Sequence, residues 1–201
     1  MNFCLLVHTF EKYHHLWPGY FKHFRDNWGL QYPESFWGTD IEQPCHKSTI
    51  PKPFKPVYSG EGEWSDRLKR LLVQIPYDYV FYMQEDMYPM KNPNLGILCS
   101  FMTSMNLLRL QVSPVVQFYS LYGSMSPLLF HHSSKYLVSH QPSFWKKDFL
   151  MSCLEKNESP WIHEYEGTKR LANRRSEIDG RIGIYAYDWF KHKSVKGVVV
   201  E

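Results

Sequence analysis

The sequence has no apolar run long enough to cross a bilayer. The apolar segment near its start, Phe3 to Val7, is too short for a signal-peptide core, and no basic segment precedes it. Cysteine is scarce: Cys4, Cys45, Cys99 and Cys153 show no Cys-x-x-Cys spacing and no histidine at zinc-finger distance. That excludes a structural zinc module and reads as four free thiols in a reducing compartment. Charge of one sign is also lacking, with 23 Lys+Arg against 20 Asp+Glu. The densest basic stretch, Lys169-Arg170 with Arg174-Arg175 and nearby Arg181, is too small for a nucleic-acid footprint, and this weighs against a nuclease. No glycine precedes Gly19, so the first strand is not followed by a Gly-rich phosphate loop. Repeats and low-complexity tracts are absent. The expectation is a cytoplasmic protein without a membrane span.

What remains is an ordinary globular composition with one outlier. Of 201 residues, 43% are hydrophobic and 17% aromatic. Aromatic rings fill cores, and they also stack on sugars and nucleobases. The length suits one domain with a substantial core. The chain ends on Val198-Val199-Val200 before Glu201, as a domain cut from a longer protein would.

The most informative segment is Asp78-Tyr-Val-Phe-Tyr-Met-Gln-Glu-Asp86. Tyr79 to Met83 reads as a buried strand, and Tyr88-Pro89 as its stop. Ligands of open α/β sheets gather at the carboxyl edge, and hard cations prefer oxygen ligands. Glu85 and Asp86 are therefore placed to hold Mn²⁺ or Mg²⁺. Adjacent side chains on a strand point to opposite faces, so both bind directly only if the backbone turns between them. Asp86 is the expected direct ligand, with Glu85 acting through water or orienting a neighbour.

Around that segment the pattern alternates. Phe3 to Val7 reads as a first buried strand, about Tyr13 to Trp28 as a helix, and Glu34 to Thr39 as a second strand. Gln43 to Gly62 reads as a long loop, rich in proline. Ser65 or Asp66 is expected to cap a helix carrying Leu68, Leu71, Leu72 and Ile75, which Pro76 closes. Leu95 to Leu108 follows as a helix, Val112 to Leu121 and Tyr136 to Ser139 as strands, Pro142 to Cys153 as a helix around Trp145, and Glu164 to Asn173 as another. This order predicts an α/β domain: a central, mainly parallel sheet with helices on both faces.

On these landmarks the chain resembles the GT-A family of nucleotide-sugar glycosyltransferases, in layout most like small viral or bacterial polysaccharide glycosyltransferase domains. The resemblance rests on Val7-His-Thr-Phe-Glu11, on Gly38-Thr39-Asp40, and on the helix Trp64 to Leu72 leading into Gln84-Glu85-Asp86. It implies a Rossmann-like single domain, with residues 1–95 as the nucleotide-sugar half and 96–201 as the acceptor half. It further implies a UDP-sugar donor, a glycan acceptor and Mn²⁺ or Mg²⁺ on the donor diphosphate, in a monomer or one domain of a larger chain. Thr9, Phe10 and Glu11 would border the nucleoside, Asp40 would accept from uracil, and Arg67 would reach ribose or phosphate. Gln84 stands where the family's Asp-x-Asp motif begins with an acid. His192 would join the metal, and Lys196 the leaving phosphate. Glu164, Glu166 and Gln141 are candidates for catalysis, and Trp145 and Trp161 for sugar platforms. Two alternatives stand beside this reading: a sugar-1-phosphate nucleotidyltransferase and a non-catalytic carbohydrate-binding module.

Overall fold

The computed structural model describes residues 2–28, 32–42, 50–112, 128–129, 136–185, 190–192, 194–195 and 198–199. Their elements, in chain order, begin with β1 (Phe3–His8), a 3-10 segment (Glu11–Leu16), α1 (Trp17–Trp28), β2 (Ser35–Thr39), β3 (Phe54–Tyr58) and α2 (Trp64–Gln74). Next come β4 (Tyr79–Gln84), β5 (Met87–Pro89), α3 (Leu95–Ser104), β6 (Arg109–Val112), β7 (Leu128–Leu129), β8 (Ser143–Lys146) and α4 (Lys147–Cys153). The chain closes with α5 (Pro160–Ala172), α6 (Arg175–Ile178), β9 (Ile182–Tyr185), β10 (Phe190–His192), β11 (Ser194–Val195) and β12 (Val198–Val199).

The main sheet has eight strands in the order β3-β2-β1-β4-β8-β6-β9-β7. Strands β3, β2, β1 and β4 run parallel, β8 is antiparallel to both β4 and β6, and β9 is parallel to β6. This is the expected α/β class: a mostly parallel mixed sheet between two helical layers. Side-chain alternation sorts the core. Cys4 and Leu6 of β1 with Val80 and Tyr82 of β4 pack beneath α2 and α4, while Leu5, Val7, Phe81 and Met83 pack beneath α1 and α3. Burial on both faces is why β1 and β4 are unbroken apolar runs. An α/β sheet also counts against the carbohydrate-binding module, since such modules are commonly all-β.

Several boundaries differ from the sequence reading, each for a tertiary reason. The loop from Gln43 contains β3, whose Pro56 is tolerated because β3 is the sheet edge; residues 43–49 lie outside the described residues. Tyr88-Pro89 does not simply end β4: it belongs to β5, which pairs with β10. Helix α2 starts at Trp64 after Glu63, and Ser65 instead accepts a hydrogen bond from the backbone N–H of Glu158 at 3.0 Å. The strand expected from Val112 ends there as β6, and the residues after it lie outside the described ones.

The largest difference is at residues 136–146. Tyr136 to Ser139 is not a strand, because side chains satisfy its backbone. Buried Arg109 donates to the carbonyls of Leu137 (3.0 Å) and Ser139 (3.2 Å), Thr168 Oγ1 accepts from Val138 N–H (3.1 Å), and Glu164 accepts from His140 N–H (2.7 Å). The strand lies instead at Ser143–Lys146, where the first part of a helix was expected. It sends Trp145 into one core layer and Phe144 into the other, and so Trp145 is fully buried and cannot serve as a sugar platform.

One glycine sets how closely α1 approaches β5. A Cβ on Gly19 would sit 2.3 Å from the hydroxyl and 2.8 Å from ring carbons of Tyr88. That ring is buried and donates to the Leu16 carbonyl at 2.8 Å. Gly19→Ala gains up to about 1 kcal/mol of helix propensity, but overpacking a rigid ring costs about 1–3 kcal/mol. Net destabilisation is the expected result in chemical denaturation.

Candidate active site

A cleft of about 270 Å³ opens at the carboxyl edge of β1 and β4. Its floor is His8, Thr9, Gln84 and Glu85, and its walls include Phe10, Tyr13, Trp64 and Trp161. Two helix starts form one side. Ser159 caps α5 by accepting from Ile162 N–H (3.3 Å), and Pro160 occupies the first turn. The starts of α2 and α5 are tied together: Ser65 N–H donates to the Glu158 carbonyl (3.1 Å), Asn157 N–H to Asp66 Oδ2 (3.0 Å), and Arg170 grips the Glu158 carboxylate with two nitrogens at 2.7 and 2.9 Å.

On the acidic segment, residues 85–86 form the turn between β4 and β5. The backbone does turn where the sequence reading required it. Glu85 is buried, and burial first, then the adjacent Asp86, holds its carboxyl well above the usual range. Asp86 is half-buried. The backbone of His192 pairs with Met87, next to Asp86, through β10–β5. Lys196 lies outside the described residues. Among the described residues, no group of three or more His, Cys, Asp or Glu side chains converges as a metal centre. The donor set suits a cation only in the way hard ions bind diphosphates, with one or two carboxylates and the remaining positions taken by phosphate and water.

On the nucleoside side, Asp40 Oδ1 accepts from Glu11 N–H (2.8 Å) and from Thr39 Oγ1 (3.2 Å), which ties the ends of β1 and β2. Arg67 is fully buried, not an exposed helical arginine. It donates to Ser59 Oγ (3.1 Å) and to the Thr9 carbonyl, and its guanidinium lies 3.3 Å from the Phe10 ring centroid. Burial brings its pKa down to about 10, with Asp40 opposing the shift, so it stays charged at neutral pH. Thr9, Phe10, Glu11, Asp40 and Arg67 are thus brought together. The three candidates for catalysis are dispersed. Glu164 is half-buried and holds the His140 backbone; Glu166 pairs with Lys169 at 3.0 Å on the solvent side of α5; Gln141 lies before β8, its N–H donating to Ser139 Oγ (3.3 Å).

The sequence reading did not single out the buried imidazoles beside the cleft. His163 Nε2 bonds the Cys153 carbonyl and Nδ1 bonds His140 Nε2, both at 3.0 Å. A carbonyl only accepts, so His163 carries its proton on Nε2, and His140 must donate from its own Nε2. Desolvation holds both rings neutral and lowers His163 to about 4. A lone histidine in a sequence gives no signal of such a pair. Because the folded state resists protonation, this contribution to stability is complete above the unfolded value near 6.5 and is lost as pH falls from about 6.5 toward about 4. The loss is about 3 kcal/mol over that window. Urea titrations at pH 7 and pH 4.5 check it: His163→Gln is expected to flatten the difference between the two.

No protein-family model and no curated protein matches the sequence. Solved structures share the fold. TarS of S. aureus, residues 1–349 in complex with UDP, is 11% identical with a TM-score of 0.61, over 94% of this chain and 60% of that one. The same protein with UDP-GlcNAc gives 11%, 0.57, 94% and 58%. CMP:2-keto-3-deoxy-manno-octonic acid synthetase complexed with CTP gives 10%, 0.55, 94% and 91%. The chain thus spans about 60% of the TarS structure it matches. None of these likenesses bears on the viral resemblance. At such identities they show the fold alone, and that fold is GT-A-like.

Proposed function

We propose that the chain is a glycosyltransferase that moves a sugar from a nucleoside diphosphate sugar, with UDP as the nucleotide, to a glycan acceptor. The observation that carries this reading is the meeting of the β1 exit, His8 to Phe10, with Gln84-Glu85 at the end of β4 in one cleft, the β2 exit being tied to β1 through Asp40, in a fold whose neighbours include complexes with UDP and UDP-GlcNAc. In this reading residues 1–95 hold the nucleotide sugar and residues 96–201 face the acceptor.

Phe10 offers its ring to the base, while Arg67 and Asp40 hold the surrounding loops in place. Asp86 would be the direct ligand of a divalent cation, Mn²⁺ or Mg²⁺, with Glu85 behind it; His192, on β10, would join the metal, and Lys196 would serve the leaving phosphate. When bound, such a cation stabilises negative charge developing on the departing diphosphate. Of the carboxylates on α5, Glu164 shares a helix face with Trp161 three residues earlier, and Glu166 does not. Glu164 is therefore the favoured base toward an acceptor hydroxyl, with Gln141 nearby in sequence to His140. Trp161, 72% exposed at the rim, is the favoured acceptor platform.

One observation favours a second reading. The synthetase complexed with CTP is matched over 91% of its length, which fits a sugar nucleotidyltransferase. The lack of glycine after β1 counts against it. Product analysis separates the two. Transfer releases UDP from a UDP-sugar in the presence of Mn²⁺ and a glycan, whereas nucleotidyl transfer releases pyrophosphate from CTP or UTP and a sugar substrate. Pyrophosphate release without UDP release would reverse the choice.

A further inference from the structure

His8, the last residue of β1, lines the cleft and is only 2% exposed. Its Nδ1 lies 3.4 Å from the Tyr82 hydroxyl, and its Nε2 has no partner among the described residues. A buried ring nitrogen left unpaired costs free energy unless a ligand or water completes it. The Tyr82 hydroxyl occupies Nδ1, which leaves Nε2 of the neutral ring to meet a ligand at the cleft, donating or accepting according to the tautomer. The ring is held there by packing, with its centroid 5.9 Å from that of Trp64 and 6.2 Å from that of Tyr82.

The surroundings define what that nitrogen meets. The lining beside His8 holds Lys12 with the acids Glu63 and Glu85, which leaves the paired phosphates to the cation proposed on Asp86, next to Glu85. The indoles Trp64 and Trp161, with Ser159, supply aromatic faces and a hydroxyl, which together suit a sugar ring. Gln84 and Glu85 border the same space, one residue from Asp86, where the diphosphate is placed above. We propose that His8 is a specificity-determining residue whose Nε2 hydrogen-bonds a hydroxyl of the donor sugar, in a subsite beside Trp64 and inward of the acceptor platform Trp161. The inference rests on the glycosyltransferase reading and adds a subsite to it.

The test compares UDP with UDP-glucose, UDP-galactose and UDP-GlcNAc by calorimetric titration in Mn²⁺, on wild type, His8→Phe and His8→Asn. Wild type is expected to bind at least one UDP-sugar more tightly than UDP. In His8→Phe that sugar-dependent gain is expected to shrink about tenfold, while the affinity for UDP itself stays within about twofold. Thermal melts identify which variant remains folded, and either suffices. Should both fail, Tyr82→Phe removes the hydroxyl that partners His8 Nδ1 and orients the ring, and is expected to weaken the same gain. Equal losses on UDP and UDP-sugar, no loss on either, or a wild type that gains nothing from the sugar would overturn the subsite and leave the nucleotide reading standing. A wild type that binds no UDP ligand at all would instead overturn the function proposed above.

Discussion

Asp86→Asn is expected to lower sugar transfer by roughly 10²–10³-fold or more while melting close to wild type, because it removes the anionic ligand for the cation that would stabilise the departing diphosphate. Asp86 sits in the turn after β4 and is half-buried, so the amide fits the same space without a cavity. The alternative role for Asp86 is an acidic strand end facing solvent, and surface substitutions of that kind stay within about 0.5 kcal/mol and leave activity intact. The two roles separate cleanly in one assay. Transfer by Asp86→Asn at the wild-type rate, with the melting point unchanged, would remove the cation site from the scheme.

Arg67→Ala is expected to give the largest stability loss of any single change near the cleft. The side chain is fully buried in α2, and its guanidinium joins two strand exits: that of β1 through the Thr9 carbonyl and by stacking 3.3 Å from the Phe10 ring centroid, and that of β3 through Ser59. Truncation leaves two polar groups without this donor, at about 1–3 kcal/mol each, and empties the space under Phe10. A loss of about 3–5 kcal/mol is a large part of a typical stability of about 5–15 kcal/mol. For a chain of this size that lowers Tm by about 10 °C. Lysine is not a substitute, since it can neither stack nor fork. Nucleotide affinity is expected to fall with stability, because Thr9 and Phe10 lose their support. Scanning calorimetry with and without UDP measures both, and Arg67→Ala melting within 2 °C of wild type would contradict this role.

The parts of the fold legible in the sequence are those whose signals are local. Strands β1 and β4 are buried on both faces and so are apolar throughout; α2 carries Leu68, Leu71 and Leu72 on its buried face, followed by Ile75, which is also buried. The parts that were not legible depend on distant side chains. Leu137 to His140 would pass for a strand if Arg109, Thr168 and Glu164 did not occupy its backbone groups. Phe54 to Tyr58 is obscured by Pro56 and by Pro51 and Pro53 just before it, and is a strand only because β2 offers it an edge.

The site divides in the same way. Gln84-Glu85-Asp86 is visible as carboxylates where an apolar run ends, and Thr9 to Glu11 as the polar exit of another. The burial of Arg67, and the proton direction through His140 and His163, arise from contacts across more than twenty residues of sequence. No pattern of neighbouring residues encodes them. His8 belongs to this second class. Its type and position are plain in the sequence, but the unpaired nitrogen that singles it out follows from burial against Trp64 and Tyr82.

The central claim is that a nucleoside diphosphate sits at the ends of β1 and β4 with a cation on Asp86. Thermal melting with UDP and Mn²⁺, repeated with excess chelator and on Asp86→Asn, tests it most directly. A ligand at about a hundred times its Kd adds about 2.7 kcal/mol, a rise of several degrees at this size. The expected result is a rise for wild type with UDP and Mn²⁺, abolished by chelator and absent from Asp86→Asn. An equal rise in all three conditions, or none in wild type, would contradict the claim.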